Sequence, residues 1–277
     1  MRILLTGAKG QLGQALQVTL AEHALVALDH QQLNISQLHA VREAVQIHNP
    51  DLVLNAAAFN SVDAAESDPH TAYRGNALGP RNLALVTAAR CIPLLHVSTD
   101  YVFAGTSQRP YHEFDTPNPR SVYGASKLAG EEAVRELNPR HYVVRTAWVY
   151  HTVGRNFPKT ICSLARQQPE VRVVSDQYGS PTYAPHLALA ITRLIFTEAY
   201  GIYHFAGQGG ASWFELTCTL YRLLNLQTPV RAVATADFPR PAERPRYSVL
   251  TTLQDPQILL PPWEAGLAEF AQDLQEL

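Results

Sequence analysis

Residues 1–13 read MRILLTGAKGQLG, and the architecture of the chain can be worked out from this stretch. A short apolar run ends at a turn that is spaced by Gly7, Gly10 and Gly13, and an amphipathic segment follows. Glycines let a backbone approach a pyrophosphate closely, and the N-terminus of the next helix then faces the anion. A glycine-spaced turn is common, but its place at the first strand–helix junction indicates a dinucleotide-binding unit.

The same alternation of apolar strands and amphipathic helices continues to about residue 150. Strands are predicted at 25–28, 51–55, 93–98 and 141–146, and helices at 36–48, 71–90 (bent or restarted at Gly79-Pro80) and 123–136. This order predicts an α/β fold with a Rossmann-type doubly wound parallel sheet. We therefore expect a dinucleotide-binding domain over 1–150 and a smaller, mainly substrate-binding lobe over 151–277. The boundary is soft, since later elements can return to the first sheet.

Several polar or small residues fall where strands of this sheet end. They are Gly7, Asn55, Ser98-Thr99 and Arg145-Thr146. Ligands of such folds bind outside the carboxyl ends of the strands, so these residues are expected to converge. Asp29 ends the second strand, where an acid usually holds a ribose hydroxyl, although a turn or capping role is equally compatible with its position.

The segment Ser121-Val-Tyr-Gly-Ala-Ser-Lys127 places a tyrosine and a lysine on one helical face, because positions i and i+4 are neighbours. A cation beside Tyr123 would lower the pKa of the phenol and make it a usable proton donor and acceptor. The hydroxyl of Thr99, at a strand end, could hold a carbonyl oxygen against that tyrosine. The competing interpretation is a solvent-facing helix that carries Tyr123 and Lys127 by chance.

Composition narrows the function classes. The net charge is −2 and there is no long basic run, so nucleic-acid binding and anionic-membrane binding have no support. No apolar stretch is long enough to span a membrane, and the N-terminus lacks the apolar core of a signal peptide. The three scattered cysteines fit free thiols in a reducing compartment. A cytoplasmic protein is expected.

An ordered set of motifs resembles the extended short-chain dehydrogenase/reductase superfamily and, more narrowly, the dTDP-4-dehydrorhamnose reductase family. The resemblance runs over nearly the whole chain and is carried by LLTGAKGQLG (4–13), NAAA (55–58), STDYVF (98–103), VYGASKLAGE (122–131), RTAWVY (145–150), GSPT (179–182) and Arg244-Pro245 with Ser248. Individually several of these motifs are superfamily-wide, but as an ordered set they are specific.

The resemblance implies NAD(P)H-dependent reduction of the 4-keto group of dTDP-4-dehydro-L-rhamnose to dTDP-L-rhamnose. This is the last step of dTDP-rhamnose synthesis for cell-surface polysaccharide. The implied catalytic residues are Thr99, Tyr123 and Lys127. The implied cofactor-binding residues are Gly7, Gly10, Gln11, Leu12, Gly13, Asp29, His30, Asn55, Ala56, Ala57, Tyr123 and Lys127. The implied substrate-binding residues are Val62, Thr99, Asp100, Tyr101, Trp148 and Asn156.

Some positions depart from the family pattern or leave alternatives open. His30 stands where many relatives have arginine, so the sequence does not choose between NADPH and NADH. Ala15 and Pro185 occupy positions that carry glutamate ligands to magnesium in certain members, so no metal site is expected. Trp148 is compatible with core packing as well as with stacking on a ligand. The chain is expected to be a monomer or a homodimer.

Two other functions compete with reduction. A nucleotide-sugar dehydratase of this superfamily has Asp-Glu after the threonine, whereas here Asp100 is followed by Tyr101; an epimerase or another reductase stays possible. The regulatory subunit of methionine adenosyltransferase also resembles this family, and it binds a dinucleotide without catalysing its reduction or oxidation. The intact Thr99, Tyr123 and Lys127 favour catalysis.

Overall fold

The computed structural model describes residues 1–254 and 257–276. Its strands are β1 (Arg2–Thr6), β2 (Ala24–Leu28), β3 (Leu52–Asn55), β4 (Leu94–Thr99), β5 (His141–Thr146), β6 (Val149–Tyr150), β7 (Val171–Val174), β8 (Tyr178–Gly179), β9 (Thr182–Tyr183), β10 (Gly201–His204), β11 (Ala211–Ser212) and β12 (Val230–Val233). Its α-helices are α1 (Gln11–Thr19), α2 (Leu38–His48), α3 (Val62–Ser67), α4 (Pro69–Tyr73), α5 (Gly79–Ala88), α6 (Val122–Leu137), α7 (Phe157–Gln167), α8 (Ala184–Leu194), α9 (Trp213–Leu223) and α10 (Trp263–Gln275).

Six of the strands form one sheet in the order β10-β5-β4-β3-β1-β2, and every neighbouring pair is parallel. Successive side chains of β1 point to opposite faces. Leu5 therefore packs with residues of α1 and α8, such as Leu16 and Leu187, while Leu4 packs with residues of α2 and α5, such as Val41. The predicted α/β fold with a Rossmann-type doubly wound sheet is confirmed.

Part of the second half of the chain returns to this sheet. Strand β10 pairs with β5, and α8 packs against α1. The other elements after residue 150 build small strand pairs, with α9 and α10 around a separate core that contains Leu216, Leu267 and Phe270. The division into a domain over 1–150 and a mainly substrate-binding lobe over 151–277 stays a prediction, and Leu277 lies outside the described residues.

The helix predicted over 71–90 restarts at Gly79, as expected, but a π-helical turn that was not predicted precedes the restart. It consists of α4, a π-helical turn over Arg74–Leu78, and α5, which begins at Gly79. Asn76 in the π turn bonds both backbone groups of Phe59 through its side chain. π turns often mark functional sites, and this one packs against α6. Strand β12 and the short helix α3 were not predicted.

Candidate active site

The glycine turn after β1 is shaped for a close approach of backbone. Gly7 has φ +76°, and a Cβ there would lie 2.6 Å from the carbonyl carbon of Ala56. A Cβ on Gly13 would lie 2.2 Å from the Gly7 oxygen, so α1 packs tightly on the turn. Gly10 precedes α1 as its N-cap, is exposed and offers no capping side chain. The free N–H groups at this helix start fit the pyrophosphate of a dinucleotide.

A first cleft opens beside this turn and is lined by Gly7, Lys9, Asp29, His30 and Ala56–Ala58, among others. Asp29 accepts hydrogen bonds from the backbone N–H groups of Gln31 and Gln32, so the turn role left open above is present. Its other oxygen lies 2.5 Å from the Lys9 ammonium. This hydrogen bond to Lys9 holds the pKa of the Asp29 carboxyl below its usual value.

A second cleft adjoins the first and shares Gly10 and Ala56 with it. It brings together most of the residues that were predicted to bind substrate or to act in catalysis, together with the start of α1. The predicted residues that line it are Gln11, Leu12, Gly13, Val62, Thr99, Asp100, Tyr101, Tyr123, Lys127 and Trp148.

Two predicted residues do not line either cleft. Asn55 is 0% exposed and lies beneath the cleft floor. Asn156 caps α7 by accepting from the backbone N–H of Lys159, and its amide donates to the Gln11 side chain at 2.8 Å. Gln11 does line the second cleft, so Asn156 supports a cleft residue in this structure. A direct contact of Asn156 with substrate stays a prediction.

Close packing at the start of α6 places Tyr123 beside Thr99. The Ser121 side chain caps the helix by accepting from the backbone N–H of Gly124 at 3.1 Å. A Cβ on Gly124 would lie 2.2 Å from the carbonyl oxygen of Tyr101, so only glycine lets α6 approach the turn that follows β4. The Tyr101 and Tyr123 rings meet edge to face at 5.5 Å.

Burial dominates the protonation of the two titratable residues of the Tyr-Lys motif. It raises the pKa of Tyr123 to about 12, against a smaller opposing effect of the Thr99 side chain. Burial also lowers the pKa of Lys127 to about 8, which the charge of Glu131 partly opposes. The expected lowering of the Tyr123 pKa by Lys127 is therefore wrong for this structure. The reason is burial, which outweighs the other influences on the phenol, while the Lys127 amine donates to the Val97 carbonyl at 2.6 Å.

A chain of buried polar groups lies under Lys127. Its Nζ is 3.4 Å from Nε2 of His96, and Nδ1 of His96 is 2.9 Å from the Asn55 side-chain nitrogen. The Asn55 oxygen accepts from the Thr6 hydroxyl at 2.6 Å. His96 was not singled out from the sequence, although a lone imidazole inside the apolar run of β4 was a usable signal.

A segment near the C-terminus contacts residues at or beside the second cleft and was recognised only as family motifs. The Ser248 hydroxyl donates to the Asp100 carboxylate at 2.6 Å, and the Arg244 guanidinium pairs with Asp63 at 2.6 Å. Burial raises the pKa of Asp100 to about 6, although its hydrogen bonds with Ser248 and Thr99 oppose this. The hydrogen bond to Arg244 lowers the pKa of Asp63. The Ser248 contact fixes the turn that carries Thr99 and Tyr101, and the Arg244 contact joins the same segment to α3.

Trp148 stacks on Trp213, with ring centroids 3.4 Å apart and planes 4° apart, and both indoles line the second cleft. Trp148 has φ +47°, a strained conformation for a bulky residue, and it lies directly against Gly179. The tryptophan pair therefore serves packing and also presents surface to the cleft. Trp213 was missed because its partner lies far away in the sequence.

The predicted absence of a metal site stays a prediction. Within residues 1–254 and 257–276, no group of three or more histidine, cysteine, aspartate or glutamate side chains is placed to hold a metal ion. Ala15 is buried in the core beside the sheet, and Pro185 lies in the first turn of α8. Nor does any described helix combine the length and the apolar character that crossing a bilayer requires.

Comparison with known proteins places the chain in a family. The model of the RmlD substrate binding domain matches residues 1–276. The dTDP-4-dehydrorhamnose reductase of Streptomyces griseus is 42% identical over 97% of this chain and 92% of its own length. A Streptomyces antibioticus protein named probable dTDP-4,6-dihydroxy-2-methyloxan-3-one 4-ketoreductase is 42% identical over 90% of this chain and 86% of its own.

A solved structure agrees with the sequence relatives. The dTDP-4-dehydrorhamnose reductase of Bacillus anthracis, in complex with NADP, has a TM-score of 0.96 and 39% sequence identity. The match covers 98% of this chain and 99% of that one. The family model, the curated relatives and the solved structure agree, and the chain belongs to the dTDP-4-dehydrorhamnose reductase family.

Proposed function

We propose that this protein reduces the 4-keto group of dTDP-4-dehydro-L-rhamnose to give dTDP-L-rhamnose, with NADPH or NADH as reductant. The observation that carries the proposal is the position of the buried Tyr123, beside Thr99 and within the same cleft as Lys127 and the glycine turn. The family relatives supply the substrate class, since those compared act by name on dTDP-linked sugars.

A nicotinamide cofactor, when bound, supplies the hydride for this reaction. The Tyr123 phenol donates the proton that the developing alkoxide needs, and its raised pKa keeps the phenol protonated at neutral pH. The Thr99 hydroxyl hydrogen-bonds the same substrate oxygen and keeps it next to Tyr123. The Lys127 ammonium stabilises negative charge in a cleft where burial strengthens electrostatic interactions.

Cofactor binding is assigned to the glycine turn and the first cleft. Gly7, Gly10 and Gly13 leave room for the pyrophosphate. Lys9 and His30 lie beside Asp29 in the same cleft, so a cation is available for a 2′-phosphate although arginine is absent after the second strand. The Bacillus anthracis relative contains NADP, which favours NADPH as the first cofactor to test.

A second candidate is reduction of a different dTDP-linked ketosugar. The Streptomyces antibioticus relative is as similar in identity as the Streptomyces griseus one, but it carries the name of a 4-ketoreductase for another sugar. Residues that line the cleft near the hexose would then select between the sugars. Trp148, Trp213 and Val62 are the first positions to compare.

The decisive experiment is a turnover assay that follows the absorbance of NADPH with a panel of dTDP-4-keto-6-deoxy sugars. We expect dTDP-4-dehydro-L-rhamnose to give the highest kcat/KM. A higher kcat/KM with another member of the panel would favour the second candidate. Binding of NADPH without turnover of any keto-sugar would refute reductase activity and favour a regulatory, dinucleotide-binding role.

Two further proposals concern the location of the protein and the role of the second half of the chain. We propose a cytoplasmic protein, because Cys91, Cys162 and Cys218 are all free thiols. We further propose that residues outside the main sheet after residue 150 mainly bind the nucleotide sugar, since Trp213 lines the second cleft and Ser248 bonds the cleft residue Asp100. Limited proteolysis with and without the dTDP-sugar would test this, with protection expected after residue 150.

A further inference from the structure

His96 lies directly behind Lys127 and contacts both that lysine and Asn55. His96 on β4 is 0% exposed, so its ring exchanges no hydrogen bonds with bulk water. One ring nitrogen faces Asn55 on β3 at 2.9 Å, and the other faces the Lys127 amine at 3.4 Å. An imidazole held between two polar groups in this way has its hydrogen positions decided by those partners.

The orientation of Asn55 decides the tautomer. The backbone N–H of Ala57 can only donate, and it donates to the Asn55 side-chain oxygen at 3.2 Å. The Thr6 hydroxyl donates to the same oxygen at 2.6 Å. The Asn55 NH₂ group must therefore face His96, which leaves Nδ1 of His96 as the acceptor. A neutral imidazole that accepts at Nδ1 carries its hydrogen on Nε2.

The Nε2–H group then points at the amine of Lys127. An ammonium has three donors and no acceptor, whereas a neutral amine can accept one hydrogen bond through its lone pair. The amine also donates to the Val97 carbonyl at 2.6 Å. This pair of contacts defines one position for Nζ, and the contact from His96 is matched by the neutral form of Lys127.

We propose that His96 is a positioning residue for the reduction, because Asn55 holds it as the Nε2–H tautomer and it holds the Lys127 amine against the Val97 carbonyl. This proposal rests on the proposed function. It adds a residue that touches neither substrate nor cofactor and acts only through Lys127. The arrangement gives the Lys127 amine a fixed position.

The other titratable or charged groups near Lys127 lie on α6, on β5 and in the turn after β4. Glu131 on α6 favours the ammonium by its charge and is paired with Arg145 of β5 at 2.7 Å. Asp100, after β4, and Tyr123 on α6 line the same cleft. His96 is the one group in this set that opposes the ammonium through a hydrogen bond to the neutral amine. Removal of His96 should therefore raise the pKa of Lys127, whereas a packing defect alone has no set direction of effect on that pKa.

The test uses the fact that the chain has three lysines, which makes lysine NMR tractable. Protein labelled with ¹³C at lysine Cε is titrated with pH, and the Lys127 signal is assigned from Lys127→Met. The wild-type midpoint is expected near the Lys127 pKa of about 8. In His96→Leu the hydrogen bond to the neutral amine is lost, so the midpoint should rise by roughly one pH unit.

His96→Gln is the second variant, in case leucine prevents folding. Its amide oxygen can accept from the ammonium, so the midpoint should again rise. Turnover of the keto-sugar by either variant should fall roughly tenfold to a hundredfold in kcat/KM, because neither side chain holds the amine in the position that His96 gives it. The alkaline limb of the kcat/KM profile should move with the NMR midpoint. His141→Gln, which alters a partly buried imidazole at the start of β5, should change neither quantity.

The NMR arm needs no substrate, so it separates this inference from the proposed function. A wild-type protein that does not reduce keto-sugars, but whose Lys127 midpoint responds to His96, would refute the reductase proposal and leave the His96–Lys127 coupling standing. A Lys127 midpoint that stays at the wild-type value in a folded His96→Gln protein overturns the inference. Histidine ¹⁵N shifts that place the hydrogen of His96 on Nδ1 would overturn it as well.

Discussion

Replacement of Tyr123 by phenylalanine removes one phenolic oxygen from the cleft and leaves the ring in place. The Tyr123 side chain is 8% exposed and packs edge to face on Tyr101, a contact that phenylalanine keeps. The protein should therefore fold and bind cofactor as the wild type does. Loss of the proton donor should lower kcat by about 10²–10⁴-fold with little change in KM. That range corresponds to about 2.7–5.4 kcal/mol of activation free energy.

The assay follows the loss of NADPH absorbance with dTDP-4-dehydro-L-rhamnose at saturating cofactor. Tyr142→Phe is the matched control, because Tyr142 is 1% exposed within β5 and does not line either cleft. It should retain the wild-type rate. Wild-type kcat in Tyr123→Phe, with cofactor affinity unchanged, would remove the phenol from the reaction and would show that another group or water protonates the sugar oxygen.

Three further outcomes are expected. Gly10→Val should weaken NADPH binding in a fluorescence titration with little change in Tm, since Gly10 is exposed, whereas Gly13→Ala should lower Tm because its Cβ would lie 2.2 Å from backbone. The kcat/KM for reduction should fall as pH rises through about 8, because Lys127 loses its charge there while the pKa of Tyr123, about 12, keeps the phenol protonated. A kcat/KM that stays constant to higher pH would contradict this. EDTA should change neither turnover nor the sedimentation coefficient, and a loss of either would reveal a metal requirement.

The sequence predicted those structural features that are determined by residues close together in the chain. The strand–glycine–helix junction of residues 2–19 depends on an apolar run and on backbone space, both of which the sequence displays. The cap at Ser212 has an equally local cause, because its side chain accepts from the backbone N–H of Glu215, three residues later. The shared face of Tyr123 and Lys127 follows from helical spacing alone.

Features that depend on distant pairs were out of reach. The stacking of Trp148 on Trp213 and the pairing of Arg244 with Asp63 join parts of the chain that only the tertiary fold brings together. The π turn was also missed, since its register is set by the bonds of Asn76 to the backbone of Phe59. Each of these contacts borders or supports a cleft, so the walls were less predictable than the residues expected to act in catalysis.

The electrostatics of the cleft show where helical spacing stops being informative. The i and i+4 spacing of Tyr123 and Lys127 on α6 suggested that the lysine would lower the pKa of the tyrosine. The helix face that carries both residues is, however, buried against β4. Burial favours the uncharged form of both residues, so it raises the pKa of Tyr123 to about 12 and lowers that of Lys127 to about 8. The proposed proton donation by Tyr123 needs the phenol form, which burial favours without help from the cation. The charge of Lys127 then becomes the property that varies near neutral pH, because burial lowers its pKa more than the charge of Glu131 raises it.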